Sequence, residues 1–150
     1  MISHTAEYAL RAMTRLAVVH PRTQSTHELA ENTGVPVSYL SKVMHVLIKD
    51  NLAHSHRGPY GGYALAKPPD RISLLDVLNA IGPLSPDKIC PMARQYVDNH
   101  ELCPLHRRMQ ASIRVLQNDF ANITLAALAA EHRTRTHGNL PKHLVHPPPQ

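Results

Sequence analysis

Cys103-Pro104-Leu105-His106 is the part of this 150-residue chain best suited to metal or redox chemistry. Pro104 stands where a first helical residue would stand, which makes Cys103 the N-cap of the helix that follows. A cysteine so placed meets backbone N–H groups and the positive end of the helix dipole, and both favour a thiolate. His106 comes three residues later on nearly the same helical face, so a thiolate and an imidazole there can serve one metal ion or one cluster iron. Cys90 is the other cysteine, and the twelve residues between the two include Asp98, His100 and Glu101. A blander account is open for each residue. A cysteine is often just a small buried apolar side chain, His106 beside Arg107 suits a helix surface, and His100 suits a loop surface. Two cysteines are too few for an all-cysteine cluster site or for a disulfide-stapled scaffold.

A second set of residues suits a polyanion. Ser38, Tyr39, Ser41 and Lys42 fall in the first turns of a predicted helix, with His45 one turn further. From Gly34 to Lys67 the cations Lys42, Lys49, Arg57 and Lys67 stand against Asp50 alone, before His45, His54 and His56 are counted. The whole chain carries 16 Lys and Arg against 11 Asp and Glu, a net charge of +5. That balance points to an anionic partner such as nucleic acid. Aromatic residues make up only 4% and Trp is absent, so a base-stacking platform for single strands is poorly supplied. The 12 histidines are scattered and form no single cluster.

These residues need elements to hold them. Ala6, Ala9, Leu10, Met13, Leu16 and Ala17 recur at helical spacing, which predicts a helix over 4–20 stopped by Pro21. Ser25 and Glu28 form a capping-box pattern that opens a short helix to about Asn32. Gly34 suits a left-handed turn before a third helix from Ser38 to about Asn51, with Leu40, Val43, Val46 and Leu47 as its apolar positions. Residues 53–66 read as a hairpin whose tip is Gly58-Pro59-Tyr60-Gly61-Gly62. Ser73 caps a helix carrying Leu74, Leu75, Val77 and Leu78 that ends at Gly82-Pro83. Residues 83–102 show no period. The helix opened by Cys103 carries Leu105, Met109, Ile113, Leu116 and Phe120 at spacings of four, four, three and four, near a coiled-coil repeat. Such a stripe packs either against a second copy or within its own chain. Thr124 opens a last short helix through Ala130, and residues 131–150 read as a mobile basic tail.

The order helix, short helix, glycine turn, helix, hairpin is that of a winged helix-turn-helix. In that motif the second helix of the pair lies in the major groove, and side chains near its start reach base edges. This assigns Ser38, Tyr39, Ser41, Lys42 and His45 to DNA, together with a tip formed by Arg57, Gly58, Pro59, Tyr60 and Gly61. An arginine at such a tip can reach a narrow minor groove. The expected fold is mainly α with a small β-hairpin wing and one long additional helix. The corresponding division is a DNA-binding domain over 1–82, a sensor loop over 83–103, a dimerisation helix with a terminal short helix over 104–130, and the tail.

The run Arg57-Gly58-Pro59-Tyr60-Gly61-Gly62-Tyr63-Ala64-Leu65-Ala66-Lys67-Pro68-Pro69, continued by Ile72-Ser73-Leu74-Leu75-Asp76-Val77, resembles the signature of the Rrf2 family of bacterial transcription regulators. Glu7-Tyr8-Ala9-Leu10-Arg11-Ala12 is similar to that family's opening helix, and Val37 to Lys42 to its recognition helix. The family includes an iron–sulfur cluster assembly regulator, a nitric-oxide-sensing repressor and a cysteine-metabolism repressor. The resemblance spans about residues 1–130. It implies a homodimer on a near-palindromic double-stranded operator, with Leu105, Met109, Ile113, Leu116 and Phe120 at the dimer seam. One departure is Tyr60, where the family usually has glycine.

The resemblance also bears on the sulfur chemistry. Cluster-binding members carry three cysteines in the corresponding loop, and the assembly regulator ends it with Cys-x-x-His. Cys90 matches the first cysteine, Cys103 the last and His106 the histidine. The middle cysteine is absent, and Asp98, His100 and Glu101 occupy that stretch. Some members recruit a carboxylate from the partner subunit's first helix, and Glu7 stands at the matching position. The implied ligand set is Cys90, Cys103, His106 and Glu7, with His100 as a further candidate. Two thiolates with nitrogen or oxygen partners suit a two-iron two-sulfur cluster better than a four-iron one. The expected function is a transcriptional regulator whose operator affinity follows redox, iron–sulfur or nitric oxide status. Alternatives are gating by a thiol switch or a small molecule with no cofactor and, more distantly, an adaptor or enzyme.

Several classes are disfavoured. A composition that is 43% hydrophobic excludes wholesale disorder. No run approaches the ~18 apolar residues of a membrane helix. The opening MISHTAEYALRAM lacks a cationic region followed by an apolar stretch, so a cytoplasmic location is expected. No phosphate-binding glycine loop, nucleophile elbow or zinc-protease helix is present.

Overall fold

The computed structural model describes residues 2–85 and 103–136. Their order is α1 (His4–Val19), α2 (Thr26–Thr33), α3 (Val37–Lys49), β1 (Ala53–His56), β2 (Gly62–Leu65), a single 3-10 turn (Pro69–Arg71), α4 (Leu74–Ile81), α5 (Pro104–Asn122) and α6 (Leu125–Thr136). The fold is mainly helical with one antiparallel hairpin, as the periodicities predict.

α1 is the centre of the packing. Ala9, Ala12 and Met13 are fully buried and Leu16 nearly so, and the two alanines let neighbouring helices approach closely. α2, α3, α4, β2 and α6 all pack against this helix. The core is completed by Leu29, Leu40, Val43, Met44, Leu47, Leu52, Leu65, Ile72, Val77 and Leu125. On α3 the apolar face is Leu40, Val43, Met44 and Leu47, whereas Val46 is only half-buried.

Two local devices set the helix pair. Ser25 caps α2 through its side chain, and Gly34 ends that helix in the left-handed region at φ 68°. The Gly34 amide donates back to the Ala30 carbonyl at 2.9 Å, and Pro36 then starts α3 without any side-chain cap bond.

The hairpin pairs Ala53 with Leu65 through His56 with Gly62. A third edge is supplied by one residue before α2. Gln24 N–H donates to the Tyr63 carbonyl at 2.9 Å, and Tyr63 N–H donates to the Gln24 carbonyl at 2.7 Å. This bridge requires glycine at position 62, because a Cβ there would collide with the Gln24 carbonyl, and the backbone sits at φ 154°. A matching tie closes the other end of the domain. Leu74 N–H donates to the Ile123 carbonyl at 2.8 Å, and Leu125 N–H donates to the Ile72 carbonyl at 2.9 Å.

One boundary differs from expectation. Residues 131–136, expected in a mobile tail, are the last turns of α6. Arg133 Nη2 donates to the Val18 carbonyl at the end of α1, at 2.9 Å, while Leu125 and Ala129 are buried in the core. Tertiary anchoring thus carries the helix beyond the point where its apolar periodicity stops. Residues 137–150 and most of the expected sensor loop lie outside the described residues.

Candidate nucleic-acid interface and sulfur site

α3 turns its polar face outwards. Ser38, Ser41, Lys42 and His45 are all exposed, backed by the buried row on the opposite side. The Ser41 hydroxyl donates to the Val37 carbonyl at 3.2 Å, which leaves its oxygen free to accept. Tyr39 is placed differently from its neighbours. Its ring lies edge-on to Tyr8 with centroids 5.4 Å apart, and its hydroxyl is 3.5 Å from Thr5 Oγ1. The structure therefore sets Tyr39 at the α1–α3 seam, partly exposed. Sequence reasoning missed Val37, which is 47% exposed at the first position of α3. An exposed branched apolar side chain there suits contact with a thymine methyl group.

The wing tip is a closed turn. Gly61 N–H donates to the Gly58 carbonyl at 2.9 Å, with Pro59 in the second position of the turn. Arg57 and Tyr60 are exposed around it. Behind the tip the rings of His54 and His56 meet edge-to-face at 4.7 Å, as alternate residues on one strand face. A cavity of about 250 Å³ separates the wing from the start of α2, lined by Ser25, Thr26, His56, Gly58, Gly61 and Tyr63 among others.

The cap of α2 is an acid-sensitive element of the fold. Ser25 N–H and the Ser25 hydroxyl both reach Glu28 Oε2 at 2.8 Å, and Glu28 N–H donates to the Ser25 hydroxyl oxygen at 3.2 Å. The backbone N–H of Ser25 holds the Glu28 carboxyl below its ordinary value, helped by the Ser25 hydroxyl and by His27. Because this pKa is depressed on folding, the stabilisation is complete above the unfolded-state value and is lost as pH falls through the folded-state value. Ser25→Ala is expected to cost about 1 kcal/mol near neutral pH. The gap from wild type should narrow on acidification, as read by urea unfolding across pH. A gap that widens in acid would contradict this account.

The sulfur site is partly described. Cys103 is the N-cap of α5, and its Sγ accepts from His106 N–H at 3.4 Å. Cys103 and His106 are 8% and 7% exposed, so His106 is a buried residue and not a surface histidine. Glu7 is occupied within its own chain. Its carboxylate pairs with Arg11 and lies 3.7 Å from His4 Nδ1, while Arg11 also donates to the Thr33 carbonyl at the end of α2. Cys90 and His100 lie outside the described residues. Among the described residues, no three His, Cys, Asp or Glu side chains converge as a metal site would need. The donor set seen is thus one thiol and one imidazole on the same turn, which fits part of a cluster site and does not complete one.

The apolar stripe of α5 is unevenly covered. Ile113 is buried, Met109, Leu116 and Phe120 are half-buried, and Leu105 is exposed. α4 packs along part of this helix, and Gln117 Nε2 donates to the Leu84 carbonyl at 3.1 Å. Val115, off the stripe, is 60% exposed.

Comparison with known proteins agrees with this geometry. Residues 2–131 match the profile of the Rrf2 family, described as iron-dependent transcriptional regulators. A protein of Aquifex aeolicus (strain VF5), provisionally described as an HTH-type transcriptional regulator, is 31% identical over 132 residues, which are 85% of this chain and 90% of that one. The HTH-type transcriptional regulator IscR of Erwinia tasmaniensis is 30% identical over 128 residues, 85% of this chain and 77% of its own length. Among solved structures, CymR, the global cysteine regulator of Bacillus subtilis, superposes with a TM-score of 0.70 at 29% identity, covering 87% of this chain and 97% of that one. Such proteins act by binding DNA and are not enzymes, and among the described residues no helix is long and apolar enough to cross a membrane. The winged helical fold, the exposed polar face of α3 and the match over residues 2–131 together establish that this chain belongs to the Rrf2 family of DNA-binding transcriptional regulators.

Proposed function

We propose that the chain acts as a homodimer whose affinity for a double-stranded operator is gated at the α5 N-terminus by an iron–sulfur cluster. The observation that carries the gating is the burial of Cys103 and His106 together at the first turn of α5. Cys90 and Cys103 would hold the group, with the two-iron two-sulfur form favoured and its remaining donors drawn from His106, His100 and Glu7. A bound cluster supplies a redox- and nitric-oxide-sensitive link between the 83–103 segment and α5. The likeness to an IscR and the iron-dependent family description support this reading.

The protein's own residues do the rest. Ser38, Ser41, Lys42 and His45 face the major groove, Tyr39 steadies α3 against α1, and Arg57 leads the wing toward the minor groove. The half-covered stripe Leu105, Met109, Ile113, Leu116 and Phe120 supplies the surface for a second copy. Two recognition helices must then stand about one DNA turn, ~34 Å, apart. A small change at the start of α5 alters that spacing and so alters affinity.

The likeness to CymR favours a second reading, in which Cys90 and Cys103 act as a thiol pair without metal. One experiment separates the two. Anaerobic purification and reconstitution, followed by a visible spectrum with iron and sulfide analysis, should give a coloured, iron-containing dimer that shifts duplexes selected from a random library. A colourless protein without iron that forms a Cys90–Cys103 bond on oxidation, seen by mass spectrometry, would replace the first reading with the second.

A further inference from the structure

We propose that Tyr60 is a specificity-determining residue, whose ring enters the minor groove edge-on from the wing tip and favours a deformable base step there. The proposal rests on the placement of the wing against DNA given above.

Tyr60 is 93% exposed, the most exposed large apolar side chain among the described residues. The other tyrosines described are used by the fold. Tyr8 is buried, Tyr39 packs on Tyr8, and Tyr63 sits against the core and bridges to Gln24. Tyr60 contributes nothing comparable to packing, yet the backbone beneath it is held firmly. The turn is closed by Gly61 N–H on the Gly58 carbonyl at 2.9 Å, and Thr23 Oγ1 donates to the Tyr60 carbonyl at 3.4 Å. Pro59 fixes the preceding φ. The result is a rigid mount that carries a ring clear of the protein.

The surroundings select the partner. From Asn51 to Pro69 the chain has no carboxylate, while His56 and Arg57 lead into the tip and Lys67 follows β2. A lone ring in a cationic, glycine-rich setting has no apolar neighbours to build a protein-docking core. It suits an anionic partner with a narrow slot. The minor groove of B-DNA is ~6 Å wide, which admits a flat ring edge-on but no helix. Apolar wedges that enter it partly unstack a base step, and pyrimidine–purine steps give way at the lowest cost. Arg57, three residues earlier, offsets the phosphate charge on either side of such a wedge.

The test uses the full-length chain. Wild type, Tyr60→Phe, Tyr60→Ala and Arg57→Ala each select duplexes from one random library, and affinities are measured on the duplex that wild type selects. Tyr60→Phe should keep the wild-type consensus. Tyr60→Ala should keep the base preferences under α3, lose the preference for a pyrimidine–purine step in the flanks, and bind that duplex about tenfold more weakly. A 2-aminopurine placed at that step should brighten with wild type and not with Tyr60→Ala. An unchanged consensus and affinity for Tyr60→Ala, with Arg57→Ala weakened, would overturn the role of Tyr60 alone. If Arg57→Ala also binds like wild type, the wing placement falls and the proposal falls with it.

Discussion

Lys42→Ala and Arg57→Ala are each expected to weaken binding to a selected operator by about 1–3 kcal/mol, or roughly five- to 150-fold. Both side chains are exposed, Lys42 on the outer face of α3 and Arg57 at the start of the wing turn. Their loss should therefore leave the fold intact, since exposed substitutions away from caps and cores usually change stability by less than about 0.5 kcal/mol. Two readouts tell their roles apart. A lysine in the major groove acts on base edges and on the counterion atmosphere, so Lys42→Ala should reduce the steepness of the salt dependence by about one unit and weaken binding equally whatever the flank. Arg57→Ala should weaken sequences with a narrow A·T-rich flank more than others. The measurement is a salt titration of binding on two duplexes differing only in the flank. Unchanged affinity in both variants would undo the assignment of α3 and the wing to the two grooves.

The positions of those two residues were legible in the sequence because short-range rules place them. Ser25, Glu28 and Gly34 specify the turn between α2 and α3 by local chemistry, and Gly58 to Gly62 specify the hairpin tip. What escaped the sequence depends on contacts between distant segments. Nothing in the spacing of α1 shows that Tyr8 turns inward to meet Tyr39, or that Gln24 becomes a third edge of the wing. The last turns of α6 are polar, and the reach of Arg133 to the Val18 carbonyl ties them to α1. The carboxylate of Glu7 was legible as a candidate ligand only through resemblance. Within the chain it is engaged by Arg11, which ties α1 to the end of α2. Arg11 holds Oε1, which leaves Oε2 as the oxygen that a role at a cluster in the proposed dimer would use.

Cys103→Ser is the substitution that isolates the sulfur chemistry from the architecture around it. Cys103 has two separable jobs in the structure. It accepts the His106 backbone N–H at 3.4 Å as the N-cap of α5, and it presents a buried thiol on the same turn as the buried residue His106. Serine is among the best N-caps, so its oxygen should keep the first job at least as well. The second job ends, because an alkoxyl is a poor ligand for cluster iron where a thiolate is a good one. The expected result is a variant with wild-type helix content and thermal midpoint that loses most of its iron and visible absorption after anaerobic reconstitution. Its operator affinity should no longer change between anaerobic and oxidised samples, whatever its absolute value. Cys103→Ala provides the contrast, since it offers no cap at all and should leave the start of α5 less stable than in Cys103→Ser by about 1 kcal/mol, with iron lost in both. Full iron retention in Cys103→Ser would remove this residue from the ligand set. Loss of iron with redox-dependent affinity intact would mean that the affinity is gated without the bound group and without the Cys90–Cys103 pair, and both readings of the α5 N-terminus would fall.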